Sequence, residues 1–540
     1  MLDSYMSLNA LGRNLVWLRV TCQWDAESEA FEPAWEFLDA AGNPRGNRAA
    51  RATNTSEFFA YARLFYLPAL RDALDEFGSR SPLWTSLLKS IRIPPDVETS
   101  VQQTLDGVDT QLLEADPKVA RFAEKIGQAA KIAVGQGEGE ARMRMMPMNT
   151  WDLISRASIV MKHESPRPWL PLDHHGQGLQ SLSVIFLFQA AVFQQLEEDQ
   201  PGTEPIFLLE EPEAHLHPQA ARTLWEHVSE LPGQKLVTTH SPYFVQRVPL
   251  HNLRLMRLKD GQSEVSFLPR LIASDLPWND NVTQLAEHQG EMFEKDPKTS
   301  KLRSTAWFDE KVAESLKGCY RGLANTTELQ TKVDQLRHAC RGLITAQEEH
   351  ELSFLGRRIR GEIFFARHWI LVEGQAEYVL LHAIGRALQY SLDRHGVAVI
   401  DFQNNGSPAI YLALAHSFQI PWHMVTDGDD QAGIFRGQLV KRGFIDSDIE
   451  NRLTTLSPPN ALEQQLIADG HEARLRAILA DLTSESALTC AAEEFEKRLK
   501  KNMIPCVSRL ALQVEQSEEL ALQMPAALVG VVQELKARAL

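Results

Sequence analysis

Four acids at two spacings carry the most chemistry in this sequence: Glu373 and Glu377 in VEGQAE, and Asp427 and Asp429 in DGDD. Each pair follows a short apolar run, HWILV or WHMVT, that reads as a buried parallel strand. A third run, VAVID, lies between them. With the apolar helical patterns AEYVLLHAIGRAL and AIYLALAHSF it makes a strand, helix, strand, helix, strand unit beginning near Ile363. Ligands of an open parallel sheet gather beyond the carboxyl ends of its strands. Glu373 and Gly374, Gly406, and Asp427 and Asp429 therefore meet on one edge. Three or four carboxylates held there repel one another unless a divalent cation neutralises them, and an all-oxygen set is what magnesium takes.

A second constellation lies upstream. Ile206 to Leu209 is an apolar run bounded by Pro205 and two carboxylates, Glu210 and Glu211, which emerge at the end of a buried strand. A helix from about Gln219 to Leu231 returns the chain to a strand, Lys235 to Thr239, that ends at His240. In this layout Glu210 suits magnesium held through water, Glu211 suits polarising a water that attacks a γ-phosphate, and His240 suits sensing that phosphate. Ahead of it, Gly176, Gln177, Gly178 and Ser181 open a long apolar helix. Two glycines there leave backbone N–H groups free for an anion such as a phosphate.

These motifs carry a resemblance. LLEEPEAHLHP followed by TTHSPYF resembles the Walker B, D-loop and switch-histidine series of ABC-type ATPases, in the branch with SMC-like and overcoming lysogenization defect (OLD) proteins. Gly176, Gln177, Gly178 and Ser181 match the signature motif of that branch. VEGQAE with DGD resembles the Toprim domain of topoisomerases, primases and OLD nucleases, and FFARHWILVEG is closer to the OLD form than to that of primases. An ATPase followed by Toprim is that family's order.

The resemblance implies an α/β protein: an incomplete ABC-type ATPase core with a helical arm, then a Toprim domain. It implies a Mg2+- or Mn2+-dependent DNA endonuclease serving phage defence or repair. Glu373, Glu377, Asp427 and Asp429 would be its metal ligands, Glu373 also assisting as base, with two ions activating water and stabilising the leaving 3′-oxygen. Glu463 in TLSPPNALEQQL is a further acid for that site, and Lys500 or, by preference, Lys501 is its cation. Glu211 would be catalytic in the ATPase, with Glu210 its metal ligand. The cofactor in a complete member is ATP; the partners are DNA, a second copy of the chain, and a helicase or defence-system protein. Two other classes remain open: an SMC-like ATPase that clamps DNA with a non-cleaving Toprim fold, and a primase-like nucleotidyltransferase.

The expected boundaries are 1–275 for the ATPase domain, with a helical dimerisation insertion at about 57–134; 276–360 for a helical linker; and 361–540 for Toprim with a helical extension. Strands around Leu253 to Leu258 and Glu264 to Leu268 are expected to close the ATPase sheet. The stripe in LQTKVDQLRHACRGL is expected to pack on a neighbour or a second copy. Nowhere in the 540 residues is there a GxxxxGK[ST] phosphate loop, so the chain is expected to begin inside the ATPase domain and to hydrolyse no ATP alone.

Composition narrows the class. With 44% hydrophobic and 23% charged residues the chain is ordinary globular protein of two to four domains. A net charge of -16 argues against nonspecific coating of nucleic acid, leaving local basic clusters: Arg357, Arg358, Arg360, Arg367 and His368, then Lys497, Arg498, Lys500, Lys501 and Arg509. Five scattered cysteines without a CxxC pair indicate neither zinc knuckle nor disulfide framework, and suit a reducing cytoplasm. The most apolar stretch, Leu182 to Phe193, is too short for a membrane span and is broken by Gln189.

Overall fold

The computed structural model describes residues 6–8, 14–26, 28–39, 42–44, 62–69, 76–77, 81–115, 150–154, 157–162, 168–198, 203–354, 360–483 and 485–539, together with 118, 121, 124, 125 and 146. Much of the expected helical stretch 57–134, the GQGEGEA break, and Arg357 and Arg358 lie outside the described residues. The chain forms two compact units, one of Met1–Ser7 and Val16–His240, the other of Leu8–Leu15 and Ser241–Leu540.

In the first unit, three parallel strands stand in the order Leu64–Leu67, Ile206–Glu210, Gln234–Thr238. Alternation along IFLLE turns Phe207 and Leu209 into the core, where the Phe207 ring meets those of Phe65 and Phe188. Phe188 belongs to the helix Gln177–Glu198, an unbroken 22 residues. Its apolar run is longer than the dozen residues expected: within Gln177–Glu197 an 18-residue window reaches a mean hydropathy of 1.4, enough in length and composition to cross a membrane. Here Val184, Leu187, Phe188 and Val192 are buried within the unit. Gln189 does not break the helix, because its amide donates to the His227 carbonyl of the next helix. That helix, Pro218–Glu230, starts with proline at its first turn and buries Ala221, Leu224 and Val228. An antiparallel hairpin, Trp17–Asp25 with Ala30–Leu38, and the helices Pro82–Lys89 and Pro95–Ala115 also belong to this unit.

The second unit centres on four parallel strands in the order Val397–Asp401, His368–Val372, Trp422–Thr426, Leu453–Thr455. The central strand is buried throughout and serves two cores. Ile370 and Val372 face helix Gln375–Ala387 and the carboxyl-terminal helices, while Trp369 and Leu371 face helix Pro408–Ser417. Each such aliphatic side chain contributes about 1.5–3 kcal/mol on burial. His368 is not part of a basic face: it is buried against the His423 ring, and burial with that neighbour pushes its pKa down to about 3, so it is neutral.

Two expectations about the middle of the chain are corrected. Leu255–Lys259 and Gln262–Ser266 do not extend the first unit's sheet; they pair with each other as a hairpin. The hairpin is held in the second unit, where Arg257 donates to the Ala366 carbonyl and Ser266 to that of Phe418, with Leu250 and Leu268 in the same core as Trp369. The compact units therefore divide at His240 and Ser241, not at 275. Nor is 276–360 a plain helical linker. Ile272–Pro277, Lys301–Ser304 and Phe293–Lys295 form an antiparallel sheet. Helix Thr326–Cys340 buries Leu329, Val333, Leu336 and Cys340 in a core with Leu276, Leu302 and Tyr320, so its stripe is covered inside the unit and needs no second copy.

Candidate active site

The four acids of the second unit stand where the strand pattern puts them. Glu373 follows the strand His368–Val372, and its carboxylate accepts from the backbone N–H of Asp427, 2.7 Å away, beyond the neighbouring strand. Glu377 lies in the first turn of helix Gln375–Ala387 and turns back to accept from the Gly374 N–H at 3.0 Å. Asp429 caps the helix Asp430–Arg442, accepting from the Gln431 N–H. Between the two aspartates, Gly428 is required by close approach: a Cβ there would stand 2.7 Å from the Leu456 carbonyl oxygen and 2.8 Å from the Pro458 nitrogen.

Burial and mutual repulsion set the electrostatics. Burial, then the charges of Glu373, Glu463 and Asp429, push the Asp427 carboxyl up to about 7. Burial, with Asp427 and Glu463 nearby, does the same for Glu377, also to about 7. Glu373 is raised by burial and by Asp429 and Glu377. The Asp427 Oδ1 atom is buried and has no hydrogen-bond partner. An unpartnered carboxylate oxygen among like charges costs free energy, and a divalent cation is the species that removes the cost. The donor set thus fits magnesium or manganese. Among the described residues no three Asp, Glu, His or Cys side chains already form a closed ligand cage, since Glu373 and Glu377 are turned onto backbone N–H groups.

Other side chains join this edge. Glu463 is buried and adds its charge to both Asp427 and Glu377, and Lys500 Nζ stands 3.5 Å from its carboxylate. Lys500, and not the preferred Lys501, is therefore the lysine paired at this edge; Lys501 is exposed at the end of the same helix. Gln403, which the sequence reading missed, bonds Glu373 with its side chain, and its backbone N–H donates to the Glu373 carbonyl. Asp401 ends the second strand two residues before it. The signal was in VAVIDFQ: an acid and an amide directly after an apolar run.

In the first unit Glu210 ends its strand and Glu211 follows with a φ of 41°. Glu211 and His240 are in contact: the carboxylate accepts from the His240 backbone N–H at 3.0 Å, and the imidazole Nε2 lies 3.3 Å from its other oxygen. Tyr66 hydrogen-bonds Glu210, which raises the tyrosine's pKa. Glu213, within the LLEEPEAHLHP motif, is buried and accepts from the Thr239 hydroxyl; burial raises its pKa. Gly178 packs on the turn after the acids, where an added Cβ would meet the His215 carbonyl at 3.1 Å. Gly176 and Gln177 are exposed, whereas Ser181 is buried.

Comparison with known proteins bears on both edges. Residues 364–429, spanning Glu373, Glu377, Asp427 and Asp429, match the model of the overcoming lysogenization defect protein-like TOPRIM domain. Residues 68–245, spanning Gly176 to His240, match that of the AAA ATPase domain. The OLD nuclease of Thermus scotoductus is 24% identical over 435 residues, 77% of this chain and 66% of that protein. An OLD-like TOPRIM domain and an AAA ATPase domain in one chain support an OLD family protein. This chain is an α/β protein with an AAA ATPase domain followed by a carboxyl-terminal TOPRIM domain. It is also 24% identical over 389 residues to the uncharacterized protein YbjD of Escherichia coli, covering 69% of this chain and 54% of YbjD. The chain thus spans less than two thirds of the length of either relative. Among solved structures, the carboxyl-terminal region of the Burkholderia pseudomallei OLD protein aligns with 33% of this chain and 100% of its own, at 21% identity and a TM-score of 0.26. That of the Xanthomonas campestris protein aligns at 20% identity with the same TM-score.

Proposed function

We propose that this chain is a metal-dependent endonuclease that nicks DNA. The observation that carries the proposal is the buried, unpartnered Asp427 Oδ1 among Glu373, Glu377, Asp429 and Glu463. Glu373, Glu377, Asp427 and Asp429 would hold Mg2+ or Mn2+, which supplies charge neutralisation and a more acidic water when bound. The residues themselves do the rest. Glu373 accepts a proton, Gln403 and the Asp427 N–H fix its carboxylate, and Lys500 brings a cation toward a scissile phosphate through its pairing with Glu463. A relative named OLD nuclease supports the same reading.

In the first unit Glu210 is proposed as a metal ligand, Glu211 as the base for water attack and His240 as the phosphate sensor. The Glu211–His240 contact supports that pairing. The 540 residues contain no GxxxxGK[ST], and we propose that this polypeptide nicks DNA without hydrolysing ATP. It is proposed to act as a homodimer. Val97, Val108 and Leu112 are exposed on one face of helix Pro95–Ala115, and light scattering that finds only 60.8 kDa particles at micromolar concentration would refute it.

The deciding experiment is nicking of supercoiled plasmid with Mg2+ or Mn2+ and with EDTA, by wild type and Asp427→Ala. Cleavage only with metal, and lost in the variant, is expected. Binding of DNA without cleavage would instead favour a clamp.

A further inference from the structure

A cavity of about 610 Å3 opens in the second unit at the amino-terminal edge of the four-stranded sheet, away from the acids. Phe267, Arg341, His416, Trp422, Phe444 and Arg452 are among its lining. Trp422 begins the strand whose other end leads to Asp427, so the two edges are separated by the strand's length, roughly 16 Å. The volume lies within the roughly 300–1,000 Å3 of small-molecule sites.

The lining has an unusual composition. Three of its rings each carry a guanidinium: Arg341 over Phe444 at 5.4 Å, Arg452 over Trp422 at 5.5 Å, and Arg254, from just outside the lining, over Phe267 at 4.8 Å. Asp448 Oδ2 lies 3.3 Å from Arg341 Nη1 and offsets one of the two lining arginines, which leaves the cavity cationic. His416 adds no charge at neutral pH, because burial and Arg341 push its pKa down to about 4. Arg341 Nη1 also lies against the His338 ring, yet its Nε is buried without any hydrogen-bond partner. An anion entering the cavity would meet the guanidinium groups of Arg341 and Arg452.

We propose that this cavity binds a small phosphorylated ring compound of the nucleoside monophosphate class. Its phosphate sits between Arg341 and Arg452, and its base lies against Phe267, Trp422 or Phe444. Planar guanidiniums bind phosphate through paired N–H groups, and both guanidinium planes and aromatic rings stack on bases. An apolar ligand would leave the excess positive charge of the lining uncompensated, and free phosphate would leave the rings unused. This site is independent of the acids and of whether they cut DNA.

The test uses the full chain in EDTA, with AMP, adenosine and inorganic phosphate as separate ligands in calorimetry, and 8-azido-AMP for photolabelling. AMP should bind at least about tenfold more tightly than either fragment, equivalent to about 1.4 kcal/mol. Label should map to peptides containing Phe267, Trp422 or Phe444. Arg452→Ala, an exposed side chain whose loss spares the core, should weaken AMP about tenfold, the scale of a lost charge-assisted hydrogen bond. Arg341→Gln should do at least as much. Equal affinity for phosphate or adenosine, labelling confined to residues 176–240, an unaffected Arg452→Ala, or no AMP binding at millimolar concentration would each overturn the proposal.

Discussion

The Asp427 backbone N–H donates to the Glu373 carboxylate at 2.7 Å, so the loop after one strand is tied to the acid that ends its neighbour. Removing either side chain should leave the strands in place, because the pairing of His368–Val372 with Trp422–Thr426 is made by backbone. Asp427→Ala and Glu373→Ala are expected to lose nicking by about a hundredfold or more, the scale on which a group that stabilises developing charge acts. Unchanged circular dichroism alongside lost cleavage is the check.

Metal-free stability should fall as pH rises. Asp427 and Glu377 have folded pKa values of about 7, above the ordinary carboxylate values of the unfolded chain. The folded state binds more protons between those values, so the stability these groups contribute is present below about pH 4 and lost as pH rises through about 7. Thermal unfolding in EDTA should show a lower Tm at pH 8 than at pH 5.5 from this site. Asp427→Asn should narrow that gap, and added Mg2+ should raise the pH 8 value most. A Tm difference unchanged in Asp427→Asn would contradict the assignment.

Lys500→Ala is expected to slow nicking about tenfold, as lost outer partners of a metal site do. Lys501→Ala should cut nearly as wild type. The reverse order in plasmid assays would mean that the pairing with Glu463 at 3.5 Å is incidental.

Gly428→Ala should cost about 1–3 kcal/mol of stability as overpacking, since the new methyl meets only backbone that cannot rotate away. Urea unfolding measures it, and loss of cleavage should accompany it because both aspartates flank the glycine.

Both acid edges were legible because each is an apolar run ending in carboxylates, a pattern whose geometry depends only on strand polarity. Ile206–Glu210, Pro218–Glu230 and the three main Toprim strands stand within a residue or two of their expected places. What escaped was partnership. Nothing in Leu255–Lys259 says that it folds back on Gln262–Ser266, or that Arg257 reaches the Ala366 carbonyl, because a strand's own alternation does not name its neighbour. Choosing between Lys500 and Lys501 likewise needed the direction of a helix face. Gln403 was passed over because its partner, Glu373, is supplied by another turn of the chain.

The strand His368–Val372 divides its unit into two cores, with Ile370 and Val372 on one side and Trp369 and Leu371 on the other. Side chains that share no neighbours repack without consulting each other. Pairs of substitutions split across the strand should therefore show additive losses, whereas pairs on one side should couple by about 0.5–3 kcal/mol. Each core can then drift through its own series of apolar replacements, and the backbone between them, which sets the position of Glu373, is a boundary that neither history has to cross.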